Sequence, residues 1–141
     1  MAVASPLSIS VSNDVDQFVS GDGDGFELEP SRVVKVESEE AWEQFLKEAN
    51  AQSAIVVAHF SAEWCAPCKF MEPAFNNMSK RLTHVIFLEV DMDVQHELAS
   101  KLQVKALPTF LFIKDEAVID KIVGANPEEL EKKIETLASP C

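Results

Sequence analysis

Only three cysteines stand in the 141-residue chain: Cys65, Cys68 and Cys141. So small and odd a number makes a poor disulfide framework. About half of the residues are hydrophobic, enough to bury a core without covalent staples. The cysteine count points to a reducing compartment. Positive charge is scarce as well, with 12 Lys and Arg against 24 Asp and Glu, a formal net charge of −12. Nucleic acids and anionic membrane surfaces require basic patches, so neither is expected as a partner. The charge reads instead as simple solubility. No apolar run approaches the roughly 18 residues of a membrane span. The opening residues MAVASPLSISVSNDVDQF have neither the basic start nor the long apolar stretch of a secretory signal. They contain acids and no arginine, unlike a transit peptide, and Ala2 stands where N-myristoylation needs glycine. The expectation is a cytoplasmic monomer with one domain.

Glycine is rare too, and three of the four lie in SGDGDGFELEP. Residues 1–31 hold six acids and no base, with no sustained periodicity, so they read as a flexible acidic extension. The Asp-Gly-Asp-Gly spacing hints at a calcium loop. The loop template, however, would need an acid at Ser20 and a glutamate at Ser31. An acidic linker fits better, and residues 32–141 are expected to form the domain.

From Arg32 onward the pattern sharpens. RVVKVE reads as an edge strand, and Ser38 caps a helix that carries Ala41, Trp42, Phe45, Leu46 and Ala49 on one face. SAIVVAHF (53–60) is an apolar, β-branched run that suits a central strand covered on both faces. A helix to about Leu82 follows the cysteine pair, with a kink expected at Pro73. VIFLEVDMD (85–93) is a strand and VQHELASKLQV (94–104) an amphipathic helix. PTFLFIK and AVIDKIVG are strands joined at Asp115–Glu116, where the missing glycine suggests a turn other than the usual hairpin type. Pro127 opens a last helix. The order β-α-β-α-β-α-β-β-α predicts an α/β fold, a mixed sheet with helices on both faces.

Chemistry concentrates in AHFSAEWCAPCKFMEP, residues 58–73. Three readings compete for Cys65 and Cys68. A structural zinc site wants four ligands, but the chain offers one pair, a distant Cys141 and scattered His59, His84 and His96. A purely structural disulfide across two residues closes too small a loop to restrain the unfolded chain much. A redox pair explains the surroundings. Cys65 falls where a strand meets a helix, so free N–H groups and the positive end of the dipole favour its thiolate. Lowering a thiol from ~8.5 to ~7 needs about 2 kcal/mol, a plausible demand there. Pro67 suits the first helical turn. Cys65 would then attack a substrate disulfide, and Cys68, one turn on and more buried, would resolve the mixed disulfide.

AEWCAPCK resembles the active-site motif of the thioredoxin family. KALPTFLFIK resembles the family's cis-proline segment, and Pro73 and VGA (123–125) stand in the family's order. The resemblance implies the thioredoxin fold, a central mixed sheet flanked by four helices. It implies dithiol–disulfide exchange with protein substrates and no bound cofactor or metal. Electrons would come from a NADPH-dependent thioredoxin reductase or from glutathione and glutaredoxin. Pro108 would follow a cis bond, and Leu107 would offer backbone groups to an extended substrate. Trp64, Ala66, Pro67, Leu107, Gly124 and Ala125 would form the contact surface beside Pro108.

His59 departs from the family pattern, which usually has a buried aspartate there. The residue is the candidate proton-transfer group. As a cation it would favour the Cys thiolate and make the pair more oxidising; as a neutral core histidine it would be silent. Ala66 replaces a common glycine. VVAHF, VKALPTFLFIKD and DKIVGANPEEL also resemble plant CxxS-type thioredoxin-like proteins, which carry serine at the second cysteine; here Cys68 is intact. That kinship leaves disulfide isomerase or chaperone-like activity open beside reduction, and a redox-inactive docking module is the reading from another class.

Overall fold

The computed structural model describes residues 29–139. The acidic extension, apart from its last three residues, lies outside them with Pro140 and Cys141, as does the Asp-Gly-Asp-Gly run of the calcium reading. Arg32 is the first residue of the folded unit. Its backbone N–H donates to Ser79 Oγ at 2.9 Å, and its guanidinium donates to the Ser79 and Thr83 carbonyls at 2.8 and 3.1 Å.

Five strands alternate with four helices among the described residues: β1 (Val34–Lys35), α1 (Glu39–Ala51), β2 (Ile55–Ser61), α2 (Ala66–Arg81), β3 (Val85–Asp91), α3 (His96–Lys101), β4 (Thr109–Lys114), β5 (Ala117–Val123) and α4 (Pro127–Leu137). The sheet order is β1-β3-β2-β4-β5. β3 pairs in parallel with β1 and β2, while β4 runs antiparallel to both β2 and β5. The expected mixed sheet is present, with β1 at its edge and the unbroken apolar strand β2 at its centre.

Alternation along β2 sorts its side chains between two cores. Val56, Ala58 and Phe60 pack with Trp42 of α1 and Leu98 of α3. Ile55 and Val57 pack with Met71, Phe75 and Met78 of α2 and with Leu130 and Ile134 of α4. Every residue of β2 is buried, which is why the strand carries no polar alternation. The expected Ser38 cap is present, and Asn126 caps α4 as well. Ser38 Oγ accepts the Ala41 N–H at 3.0 Å, and Asn126 Oδ1 accepts the Glu129 N–H at 3.1 Å. α2 continues through Pro73.

Two expectations need correction. The helix expected over 94–104 is shorter, because Val94 stays 66% exposed and Gln103 takes a left-handed φ of 61° that ends the turn. The β4–β5 turn is not of another type for want of glycine. Asp115 and Glu116 adopt φ of 54° and 63°, the pair of positive values that a type I′ hairpin turn requires. The twist of the two strands imposes that geometry on residues that resist it.

Candidate functional site

Cys65 is the N-cap of α2, with an extended backbone at φ −92° and ψ 103°. Its Sγ accepts the Cys68 backbone N–H at 3.2 Å, so the sulfur itself satisfies one of the open donors of the first turn. Pro67, in that turn, has no N–H to leave unpaired. The helix start therefore presents donors and the positive end of its dipole to Cys65, an arrangement that favours negative charge on sulfur.

Cys65 and Cys68 are joined as a disulfide with their Cα atoms 5.3 Å apart. Cys65 is 4% exposed and Cys68 fully buried, and both pack with Ala62 and Leu107. The outer sulfur is thus the one a substrate can reach first. Among the described residues no three His, Cys, Asp or Glu side chains gather as metal ligands.

A groove of about 660 Å³ runs beside the pair. Trp64, Cys65, Ala66, Pro67 and Leu107 line it, together with Met92, Asp93, His96 and Lys105. Trp64 is 70% exposed, and its indole N–H donates to the Asp93 carboxylate at 2.9 Å. The Asp93 backbone N–H in turn donates to Asp91 Oδ1 at 2.8 Å. The Leu107–Pro108 peptide is cis. The Pro108 carbonyl accepts the Gly124 N–H at 3.0 Å, which ties the end of β5 to the start of β4. Gly124 has φ +121°, a backbone that side-chain-bearing residues rarely adopt, although a Cβ there would meet nothing within 4 Å. Of the expected contact residues, Pro108, Gly124 and Ala125 do not line the groove, and Ala125 packs instead against the core between α2 and α4. Met92, Asp93, His96 and Lys105 were not among the expected residues, because only the tertiary fold brings the segment from β3 into α3, and the one after α3, beside the cysteine pair.

His59 is wholly buried on the α2 side of β2. Its ring stacks on Phe110, with centroids 4.6 Å apart, and meets Phe75 edge-on at 5.3 Å. Neither ring nitrogen has a hydrogen-bond partner, so no such bond links it to either sulfur. Burial drives its pKa down from 6.5 to about 4. At neutral pH the ring is uncharged, and the cationic reading of His59 loses its basis.

The Thioredoxin family model matches residues 33–136. The chain belongs to the thioredoxin family. It is 46% identical over 105 residues to the thioredoxin-like protein CXXS1 of Arabidopsis thaliana, spanning 74% of this chain and 89% of that protein. It is 43% identical over 115 residues to thioredoxin H4-2 of Oryza sativa subsp. japonica, spanning 82% and 87%. The crystal structure of a poplar wild-type thioredoxin h superposes with a TM-score of 0.75 at 38% identity, covering 78% of this chain and 99% of that one. The architecture is the thioredoxin fold, and the family is one of disulfide oxidoreductases.

Proposed function

We propose that this protein reduces or exchanges disulfides in protein substrates through the Cys65–Cys68 dithiol. The observation that carries the reading is the sulfur of Cys65 capping α2 with Cys68 bonded behind it. Cys65 attacks the substrate disulfide as thiolate, forming a mixed disulfide. Cys68 then attacks Cys65 Sγ, closing the intramolecular bond and releasing the substrate as a dithiol. Two electrons pass from the protein to the substrate. Trp64, Ala66, Pro67, Leu107 and Pro108 form the docking surface, with the Leu107 backbone pairing an extended segment. Gly124 holds Pro108 in place, and Ala125 supports that corner from the core side. His59 enters this reading as a neutral ring.

No bound cofactor is required in this scheme. The oxidised pair would be recycled by thioredoxin reductase or by glutathione and glutaredoxin, in the cytoplasm, by a monomer. Among the described residues no helix is long and apolar enough to cross a membrane. Insulin reduction and repair of a scrambled disulfide substrate by wild type, Cys65→Ser and Cys68→Ser test the proposal. A reductase loses activity in both variants. Retained repair in Cys68→Ser alone would make it an isomerase, and indifference of a native binding partner to both changes, with no turnover by wild type, would make it a docking module.

A further inference from the structure

The chain carries a formal net charge of −12, yet the groove beside Cys65 does not share that excess. Among the described residues that line it, Asp93 holds the one carboxylate, and that group already accepts the Trp64 indole N–H at 2.9 Å. Lys105 and His96, both exposed, face the same space. Neither side chain has an ion-pair or hydrogen-bond partner among the described residues. Lys105 thus offers the groove an unpaired cation on a flexible stem, and the His96 imidazole offers an N–H donor in either protonation state.

The opposite flank of α2 has the reverse character. Ala66 and Pro67 face the groove, whereas Lys69 and Glu72 face a separate polar cavity of about 180 Å³. Glu63, Glu89 and Asp91 join Glu72 there, against only Lys35 and Lys69. A peptide segment laid over Cys65 therefore meets a basic side and an acidic side, divided by the start of α2.

Leu107, which packs with both cysteines, follows Lys105 by two residues. An extended chain advances about 3.3 Å per residue, so the two backbones positions stand no more than ~7 Å apart. We propose that Lys105, assisted by His96, selects disulfide segments that carry a carboxylate about two residues from the reactive cysteine. Lys105 is then a specificity-determining residue, and the preferred protein substrates are acidic around their disulfide. The assignment deepens the disulfide-exchange reading above and rests on it. Repulsion between an acidic protein and an acidic substrate acts at long range and is screened beyond about 10 Å at 0.1 M salt, whereas a contact pair is screened much less. The selection accordingly depends on where the carboxylate stands and not on the total charge of the substrate.

Peptides with blocked ends and a single cysteine, activated as the 2-pyridyl disulfide, isolate this effect. Within each pair of peptides one glutamate and one glutamine exchange places, so the glutamate lies either two residues from the cysteine or far from it at constant net charge. One pair has the near glutamate before the cysteine, and another has it after. The Cys65 thiolate forms a bond to the peptide sulfur, the bond from that sulfur to the pyridyl sulfur breaks, and the departing thiolate takes a proton and is read as pyridinethione. In the full-length reduced protein at about 0.1 M salt, the near-glutamate peptide should react ~3-fold faster than its counterpart in at least one pair, the size of an exposed ion pair. Lys105→Gln should bring that ratio to about one, and Lys105→Glu should invert it. Inversion on charge reversal is a change that a merely structural loss would not produce. A ratio near one for both pairs in wild type, or a preference that persists in both variants, overturns the assignment. Reaction of Cys65→Ser at the wild-type rate overturns the dithiol reading itself, because Cys65 would then not be the attacking sulfur.

Discussion

The imidazole of His59 lies flat on the ring of Phe110, the two planes within 9° of parallel. A charged imidazolium in that slot would face aromatic carbon with no acceptor for either N–H. The ring is therefore a core element that happens to titrate, and its cost appears when the solution turns acid.

The sign follows from proton uptake. The unfolded chain binds a proton at His59 near 6.5 and the folded chain only near 4, so stability rises with pH between those values. Acidification through that window should remove about 3 kcal/mol. His59→Phe fills the stack with a ring that cannot titrate. Urea unfolding at pH 4.5 and 7.5 should show a much smaller loss for the variant than for wild type. Glu89, held high by burial, contributes a slope of the opposite sign, which both proteins share.

The sulfur cap on α2 makes Cys65 the reactive thiol. Iodoacetamide should modify it in the reduced protein several-fold faster than free cysteine at pH 6.5–7, and Cys68 far more slowly. Mass mapping of the alkylated site checks the order. Equal labelling of the two would contradict it.

Asp93 holds the Trp64 indole through a hydrogen bond across the groove. Asp93→Ala should free the ring and weaken use of a protein disulfide by about 1 kcal/mol, or roughly fivefold in kcat/KM. Alkylation of Cys65 should hardly change. The emission of Trp64 should become more mobile, while buried Trp42 supplies a constant background.

Glu116 occupies a left-handed backbone that glycine tolerates better. Glu116→Gly should stabilise the protein by about 1 kcal/mol, since a single residue costs roughly that much in this region. The exposed hydrogen bond from Asn50 to Glu116 at 3.2 Å would be lost and offsets part of the gain. A higher urea midpoint with an unchanged slope is the expected result.

Much of this protein is legible along the chain because its controlling forces are local. Residue spacing tells a strand from a helix, so β2, β3 and α2 fall within a few residues of where periodicity places them. The three-residue interval of Cys65 and Cys68 puts both sulfurs at one helix start, and Ser38 and Asn126 cap helices by bonding three residues ahead. What lay beyond reach depends on pairing and dielectric. Register alone sets Glu89 across from His59, and Ser61 meets Glu89 over a separation of 28 residues. Strand twist forces Asp115 and Glu116 into a turn their side chains disfavour. The neutral state of His59 follows from its burial against Phe75 and Phe110, which other elements supply. Amino-acid order determined the elements and the reactive dithiol; the folded interior decided which neighbours ionise, because desolvation exists only once the chain has closed around them.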